Sequence, residues 1–583
     1  MNKKVIVIGG GVAGMSAAHE LIERGFEVEV YEKNRTYCGG KARSVDVPHT
    51  NKKYKDKFLP GEHGFRFFPG FYKHITDTMM RIPFGDGTVH DNLVQVERVK
   101  IARFDKLAIE TVLKMPVTQE DWNEFFATSH FGTDLTPDEI KLFTSKIWQL
   151  LNSCYERRVN DYERVSWWQF MEADSHSENY RALLVNGLTR TLVAANAKFA
   201  STKTGGDIFL QLLLNMFDKK IQADRVLNGP TNDVWLTPWL NHLKENGVDY
   251  RPGASCTKLE FENGKITGAW ISFDGGTPEK VTGDYYILAV PVEVAAPLMT
   301  DDMVEYDMTL DGIRKLADSV AWMNGIQFYL NEDVGVGKGH CIYADTPWAL
   351  TSISQMQFWG DYDIEKRGNG KVKGILSVDI SNWDEPGLPP TNKIASKCES
   401  LEEIKEEVWA QLKKSLNVCG TEVLRDDMVE YWHIDADIHP SRAKDHPELL
   451  RNEEPLLVNR VHTWALRPEA YTRIENLFLA SDYVRTFTDL ATMEGANEAA
   501  RRAVNCIIEV SGEEADECAI WNLHEPDLLE NARDHDKKRY DKGLPYKDMK
   551  RPLLTLVGQV IGWTIAELKK ISGKDTVTKP TED

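Results

Sequence analysis

Residues 5–32, VIVIGGGVAGMSAAHELIERGFEVEVYE, constrain this chain more than any other stretch. An apolar, β-branched run from Val5 to Ile8 breaks at Gly9-Gly10-Gly11, and Gly14 follows within an amphipathic segment of helical spacing. A second strand pattern, Val28 to Tyr31, ends on Glu32, about 20 residues after the first glycine, which is the spacing of the dinucleotide fingerprint. Gly9 permits the tight turn, Gly11 lets the backbone approach a pyrophosphate, and Gly14 lets helix and strand pack closely. The helix N-terminus, with its unpaired N–H groups and positive dipole end, receives phosphate. Glu32 accepts hydrogen bonds from a ribose hydroxyl pair, an arrangement that a 2′-phosphate would block. The pattern predicts an adenosine-containing nucleotide held by Gly9, Gly11, Ala13, Gly14 and Glu32.

Two further segments narrow the nucleotide. KNRTYCGGKARS, directly after Glu32, sets Lys33, Gly40, Lys41 and Arg43 around a second flexible glycine pair, suited to another approach to the phosphates. Near the other end, an apolar strand from Leu477 to Ala480 leads to Asp482, and a helix opens near Met493. That helix would place its N-terminus under a flavin ring, with Asp482 near the ribityl chain.

With GGGVAG, Glu32, GGKARS, GEHGFRFFPG (61–70) and MEGANEAARRA, the chain resembles the FAD-dependent amine oxidase and phytoene desaturase superfamily. The MEGA pattern is similar to the carotenoid desaturase and hydroxysqualene dehydroxylase branch. The resemblance implies an α/β fold: a discontinuous, Rossmann-type FAD-binding domain of the glutathione reductase kind, with a mixed α+β substrate domain. It also implies adenine contact by the backbone near Thr257. Two departures stand out. Ser481 and Asp482 replace the usual glycine and glutamate, and Met323 with Asn324 occupies the neighbourhood where many amine oxidases carry a lysine. Residues 480–483 contain no cysteine for a thioether link, so the expected FAD is non-covalent.

Composition bounds the rest. At 583 residues and 42% apolar content the chain is folded and too long for one ordinary core. A net charge of −20 disfavours nucleic acid and broad anionic membrane contact. Eight scattered cysteines without a CxxC pair argue against a zinc site or a disulfide framework, and no metal is expected. A strand begins within a few residues of Met1, so no cleavable signal peptide is expected and the cytoplasm is the natural compartment.

The expected FAD-binding pieces are residues 1–72, 228–300 and 455–510. In the second, Asn263-Gly264 marks a hairpin. Between them, 73–227 reads as a mainly helical insertion, with Thr136-Pro137-Asp138-Glu139 starting one helix and further helices over 181–199 and 206–217. Residues 301–454 form the sheet portion of the substrate domain, with strands GIQFYL and GILSVDI and a charged helix from Leu401 to Leu416. Residues 511–583 form a helical C-terminal appendage that opens as a polar surface linker. Its 551–570 segment is too short to span a bilayer, and docking on protein or peripheral membrane contact both remain open.

GEHGFRFFPGFY is expected beside the flavin ring: Gly64 for close approach, Phe65 as a wall, Arg66 for negative charge on the reduced cofactor, and His63 as the candidate proton carrier. Trp432, Asp435, Trp464 and Arg467 are expected to line the substrate cavity. The leading function is an FAD-dependent oxidoreductase that desaturates or rearranges an apolar, isoprenoid or carotenoid-like small molecule, with a quinone or dioxygen as electron acceptor. The alternatives are a flavin amine or amino-acid oxidase using dioxygen, a redox-neutral flavin isomerase, and a non-enzymatic FAD protein that binds a membrane or partner.

Overall fold

The computed structural model describes residues 3–64, 66–96, 99–111, 135–187, 196–215, 224–440 and 450–549. A parallel sheet of five strands organises it, in the spatial order Asp249–Pro252, Glu27–Glu32, Lys4–Ile8, Tyr285–Leu288, Leu477–Leu479. Val7 is in register with Val30 on one side and Ile287 on the other, and Ile287 in turn with Phe478. Its strands come from three separated stretches of chain. The central strand is almost wholly apolar, as a strand covered on both faces must be. Helices Val12–Ile22 and Met493–Ser511 lie side by side, and Asn497 Nδ2 donates to Ser16 Oγ at 2.8 Å. The Asn263-Gly264 hairpin joins Ala254–Glu262 to Lys265–Phe273, both turn residues having positive φ (50° and 82°).

A second sheet of seven strands carries the other domain, in the order Lys106–Thr111, Val99–Arg103, Cys341–Tyr343, Leu350–Ser354, Gly374–Ile380, Gly325–Leu330, Val429–Ile434. Strand alternation gives it two unlike faces. Ile326, Phe328, Leu376 and Val378 meet Ile404, Val408 and Leu412 of the helix Leu401–Leu416. That helix is charged only on its outer side. Gln327, Ser377 and Asp379 point the other way, toward the segment 60–66: the Glu62 N–H donates to Gln327 Oε1 at 2.8 Å.

The described residues of the segment 73–227 are mainly helical, as expected, but not only so. The segment adds Leu93–Gln95, Val99–Arg103, Lys106–Thr111 and Asp224–Leu227 as strands, because LVQVERVKIARF alternates at period two. Its helix Pro137–Asn152 starts as read, with Thr136 and Glu139 exchanging the capping-box hydrogen bonds. Helix Thr202–Asn215 packs beside it, while Arg181–Gly187 is a π-helix and residues 188–195 lie outside the described set.

The described part of the appendage, residues 511–549, is docked on the rest of the chain rather than running free as a polar linker. The N–H of Cys154 and Nε of Arg157 donate to the buried carboxylate of Asp536, on helix Glu530–Tyr540. The Trp521 N–H donates to His74 Nε2 at 3.0 Å. The 551–570 segment lies outside the described residues. Among the described residues no helix is long and apolar enough to cross a membrane.

One buried charge joins the first helix to its neighbours. Glu20 accepts from Arg24 Nη1 at 2.8 Å, lies 3.2 Å from Arg501 and pairs with Arg81. Burial pushes its carboxyl up, but Arg501, Arg81 and Arg24 outweigh that and hold it at about 2 instead of 4.5. A depressed carboxyl stabilises the fold above its unfolded value and loses that contribution as pH falls through the folded one. The contribution, about 3 kcal/mol on the linkage scale, is therefore expected to vanish between about pH 4.5 and 2. Urea unfolding of Glu20→Gln should show a deficit of that order at pH 7 that shrinks steadily on acidification, whereas a constant deficit would contradict the pairing.

Candidate active site

A cavity of about 550 Å³ runs from the glycine turn to the helical insertion. At its inner end Gly9, Gly11 and Ala13 face Gly40 and Lys41. Gly9 needs its φ of +105°, since a Cβ there would sit 2.6 Å from the Ala289 carbonyl oxygen. A Cβ on Gly40 would lie 3.1 Å from Gly11 Cα, so two backbone segments meet with room for a phosphate group but not for side chains. Gly14 sits behind the wall: a Cβ there would lie 1.8 Å from the Gly9 oxygen.

Glu32 stands beside this cradle and accepts from the Gly10 and Asn34 N–H groups, each at 2.7 Å. Burial pushes its carboxyl up, against those two donors. Each oxygen thus keeps a free lone pair for a ribose hydroxyl. Lys33 is tied to Glu454 at 3.0 Å. Arg43 lies behind the wall, its guanidinium bidentate to Asp437 at 2.9 Å and paired with Glu454 at 2.9 Å. Lys41 donates to Glu293 Oε1 at 2.8 Å and to the Pro455 carbonyl. The second Glu293 oxygen is buried and has no hydrogen-bond partner among the described residues.

Midway, His63, Arg66, Met323, Asp379, Ser481, Asp482, Thr492 and Met493 form the wall. Thr492 caps the Met493–Ser511 helix, accepting from the Gly495 N–H at 3.1 Å. Arg66 donates to the Lys41 and Ala42 carbonyls at 3.2 and 3.1 Å. Gly64 is behind it, where a Cβ would meet Asp379 Oδ1 at 2.2 Å, and Phe65 lies outside the described residues. His63 Nδ1 pairs with Asp435. His63, Asp435 and Asp437 could in principle share an ion, but Arg43 already neutralises Asp437, and Asp435 accepts from Asn324 Nδ2 at 2.6 Å.

The outer end is apolar: Val99, Ile101, Phe209, Leu213 and Ile342 belong to one hydrophobic cluster with the helical insertion. Burial pulls His340 down to about 4, and burial pushes Asp224 up to about 7 against Arg225.

Besides Gly14, Arg43 and Gly64, which stand behind the wall, five expected contacts are corrected. Thr257 is exposed and donates to the Trp270 carbonyl, at a bulge between Cys256 and Lys258; Ala254, Ser255 and Cys256 line the cavity instead. Trp432 is opposite Phe328 and so lies on the helix-covered face of the seven-stranded sheet. Trp464 stacks under Lys203, whose Nζ is 3.8 Å from the ring centroid. Arg467 is buried against Asp489 at 3.0 Å and donates to the Asp482 carbonyl at 2.6 Å. Asp435 reaches the wall only through His63. Glu454, Thr204, Asn459 and the Leu456-Leu457 pair belong to the wall and carry no motif by which the sequence would betray them.

A family model described as flavin containing amine oxidoreductase matches residues 12–508. The chain belongs to that family. It is 56% identical over 534 residues to a zeta-carotene desaturase of Solanum lycopersicum, covering 87% of this chain and 81% of that protein. It is 39% identical over 524 residues to the Capsicum annuum zeta-carotene desaturase, covering 86% and 80%. Among solved structures, cyclohexylamine oxidase from Brevibacterium oxydans superposes with a TM-score of 0.55 at 12% identity, covering 88% of this chain and 100% of that one, a likeness of fold. The cofactor is therefore a flavin, and the protein is a flavin-dependent oxidoreductase.

The residues fit that group: a glycine cradle in which Gly9 has no room for a Cβ, a buried acid beyond it, and a capped helix N-terminus on the wall. Replacing Glu32 by Leu removes the acceptor for the ribose, and the flavin dissociation constant is expected to rise roughly 10- to 100-fold, the cost of a charge-assisted hydrogen bond. Titration of stripped protein with flavin, followed by fluorescence quenching, checks this; an unchanged constant would remove Glu32 from the site.

Proposed function

We propose that this protein binds FAD without a covalent link and desaturates a long, apolar, carotenoid-like polyene. The observation that carries the reading is the outer half of the cavity, which is lined mainly by apolar side chains. A chain of hydrocarbon entering it gains about 25 cal/mol for each Å² withdrawn from water. An ammonium substrate would lose its hydration there with little to replace it. Met323, where the resemblance places a lysine in amine oxidases, supports the same choice. The cavity-lining cysteine, Cys256, is pushed up to about 11 by burial, so its thiol is protonated and a poor nucleophile for a flavin link.

Bound flavin supplies a two-electron hydride acceptor. The chain's own residues hold the reacting carbons against it and keep water out. Arg66, anchored to two carbonyls, offers a fixed positive charge at the middle of the cavity. The relatives' names place those proteins in chloroplasts or chromoplasts. For this chain the eight unpaired thiols suit a reducing compartment.

Purified protein loaded with FAD and mixed anaerobically with zeta-carotene in detergent micelles should bleach the flavin band and yield a product with additional conjugated double bonds. Bleaching by simple amines, with none by any polyene, would overturn the proposal. In the same assay Leu213→Glu, which sets a charge on the apolar wall beside the helical insertion, is expected to lower kcat/KM roughly 10- to 100-fold while flavin stays bound.

A further inference from the structure

Forming a carbon–carbon double bond removes hydrogen from two neighbouring carbons. One leaves as hydride, with its electron pair. The other leaves as a proton, and a hydrocarbon has no group of its own to receive it. On the cavity wall, Lys41 is committed to Glu293 and the Pro455 carbonyl, Arg66 is a permanent cation, and burial leaves His340 a weak base.

His63 differs. Its side chain is 9% exposed, and its Nδ1 is paired with Asp435, whose side chain is 6% exposed. The rest of the Asp435 carboxylate is satisfied: Oδ2 accepts from Asn324 Nδ2 at 2.6 Å and Oδ1 from the Asp437 N–H at 3.3 Å. Asn324 is held in turn by Asn452, whose Nδ2 donates to its Oδ1 at 2.7 Å. The backbone fixes both partners through one residue. The Gly325 N–H donates to the His63 carbonyl at 2.6 Å, and the Asp435 N–H donates to the Gly325 carbonyl at 3.1 Å. Burial pushes Asp435 up, but His63 and Asn324 outweigh it, so the carboxylate stays charged well below the ordinary range. A charged acceptor at Nδ1 selects the tautomer with hydrogen there, which leaves the lone pair on Nε2. Both ring nitrogens are buried; Nδ1 lies against the Asp435 carboxylate, whereas Nε2, on a residue of the cavity wall, has no polar partner among the described residues.

We propose that His63 is the proton acceptor of the desaturation and that Asp435 is its positioning residue. The inference rests on the desaturase reading above. Nε2 takes the proton from the carbon next to the one that loses hydride, and the electron pair of that C–H bond becomes the π bond. The substrate loses two hydrogens and two electrons; the electrons leave with the hydride to the flavin, and the proton rides on the imidazole until solvent collects it. The groups facing this imidazole are Asp435 and Asp437 from behind, Arg43 on Asp437, and Arg66 and Asp379 on the wall. The positive charge formed on His63 is thus met by the adjacent carboxylate.

The test uses full-length, flavin-loaded protein and zeta-carotene in micelles. His63→Gln is expected to retain flavin and thermal midpoint while kcat falls roughly 100- to 10,000-fold, the usual span of a general base. Wild type should show an acid limb in its kcat–pH profile that the variant lacks. Asp435→Asn should keep the shape of the pair but lose rate, and added imidazole should restore part of the activity of His63→Ala. A readout independent of turnover is the nitrogen-15 spectrum of histidine-labelled protein, in which the signals lost in His63→Gln must show hydrogen on Nδ1. Wild type inactive on every polyene would sink the desaturase reading itself. Active wild type, with His63→Gln within twofold of it and an unchanged pH profile, would sink the dyad alone, as would hydrogen found on Nε2.

Discussion

The contact between Gly14 and Gly9 is the constraint on which the rest depends. Only hydrogen at Gly14 fits against the Gly9 carbonyl, and that contact seats helix Val12–Ile22 directly on the central strand. The helix end then opens over the strand ends, where the sheet's crevice lies and where this fold takes its ligand. Helix Met493–Ser511 packs along the first helix, so its capped N-terminus arrives at the same crevice from a site far away in sequence. Glu494 in that first turn accepts from the N–H groups of Lys73, His74 and Ile75, pinning the start of helix His74–Met80. A motif that suggests cofactor chemistry therefore also serves as a structural clamp.

Where the two domains meet, the fastenings are charged. Asp489 accepts from Lys203 and Thr204 of the helical insertion and from Arg467. Arg43 does the equivalent on the other flank with Asp437 and Glu454. Removing one member of such a buried set leaves an uncompensated charge, at a cost of about 3–5 kcal/mol. Thr204 and Glu454 bring these sets to the cavity wall, while Asp489, Arg467, Arg43 and Asp437 stand behind it. They fix its width while the apolar outer wall sets what it admits.

Short-range order was readable from the residues. The fingerprint, the capping box at Thr136 and Glu139, the Asn263-Gly264 turn and the helix Leu401–Leu416 all follow from local chemistry. Most of the cofactor end was legible for the same reason, since glycines and strand-end acids announce themselves. The substrate end was not. Trp432 fails because strand parity puts it with Phe328, and a one-residue shift of register would have reversed that. Trp464 and Arg467 fail because their partners, Lys203 and Asp489, come from distant segments. Thr257 fails because a bulge breaks the alternation at that residue. Leu456 and Leu457 enter the wall through a two-residue strand too short to leave a pattern.

The five-stranded sheet also sets a timetable. Its outermost strand, Leu477–Leu479, and the helix that closes the crevice emerge from the ribosome long after Lys4–Ile8. At about 5–20 residues per second, the first βαβ unit waits tens of seconds for its last neighbour. During that interval the apolar edge of Tyr285–Leu288 has nothing beside it and no coenzyme to shield it. Nascent chains of this protein should therefore lean on chaperones until Leu477–Leu479 and Met493–Ser511 have been made, and the vitamin-derived prosthetic group can dock only after that.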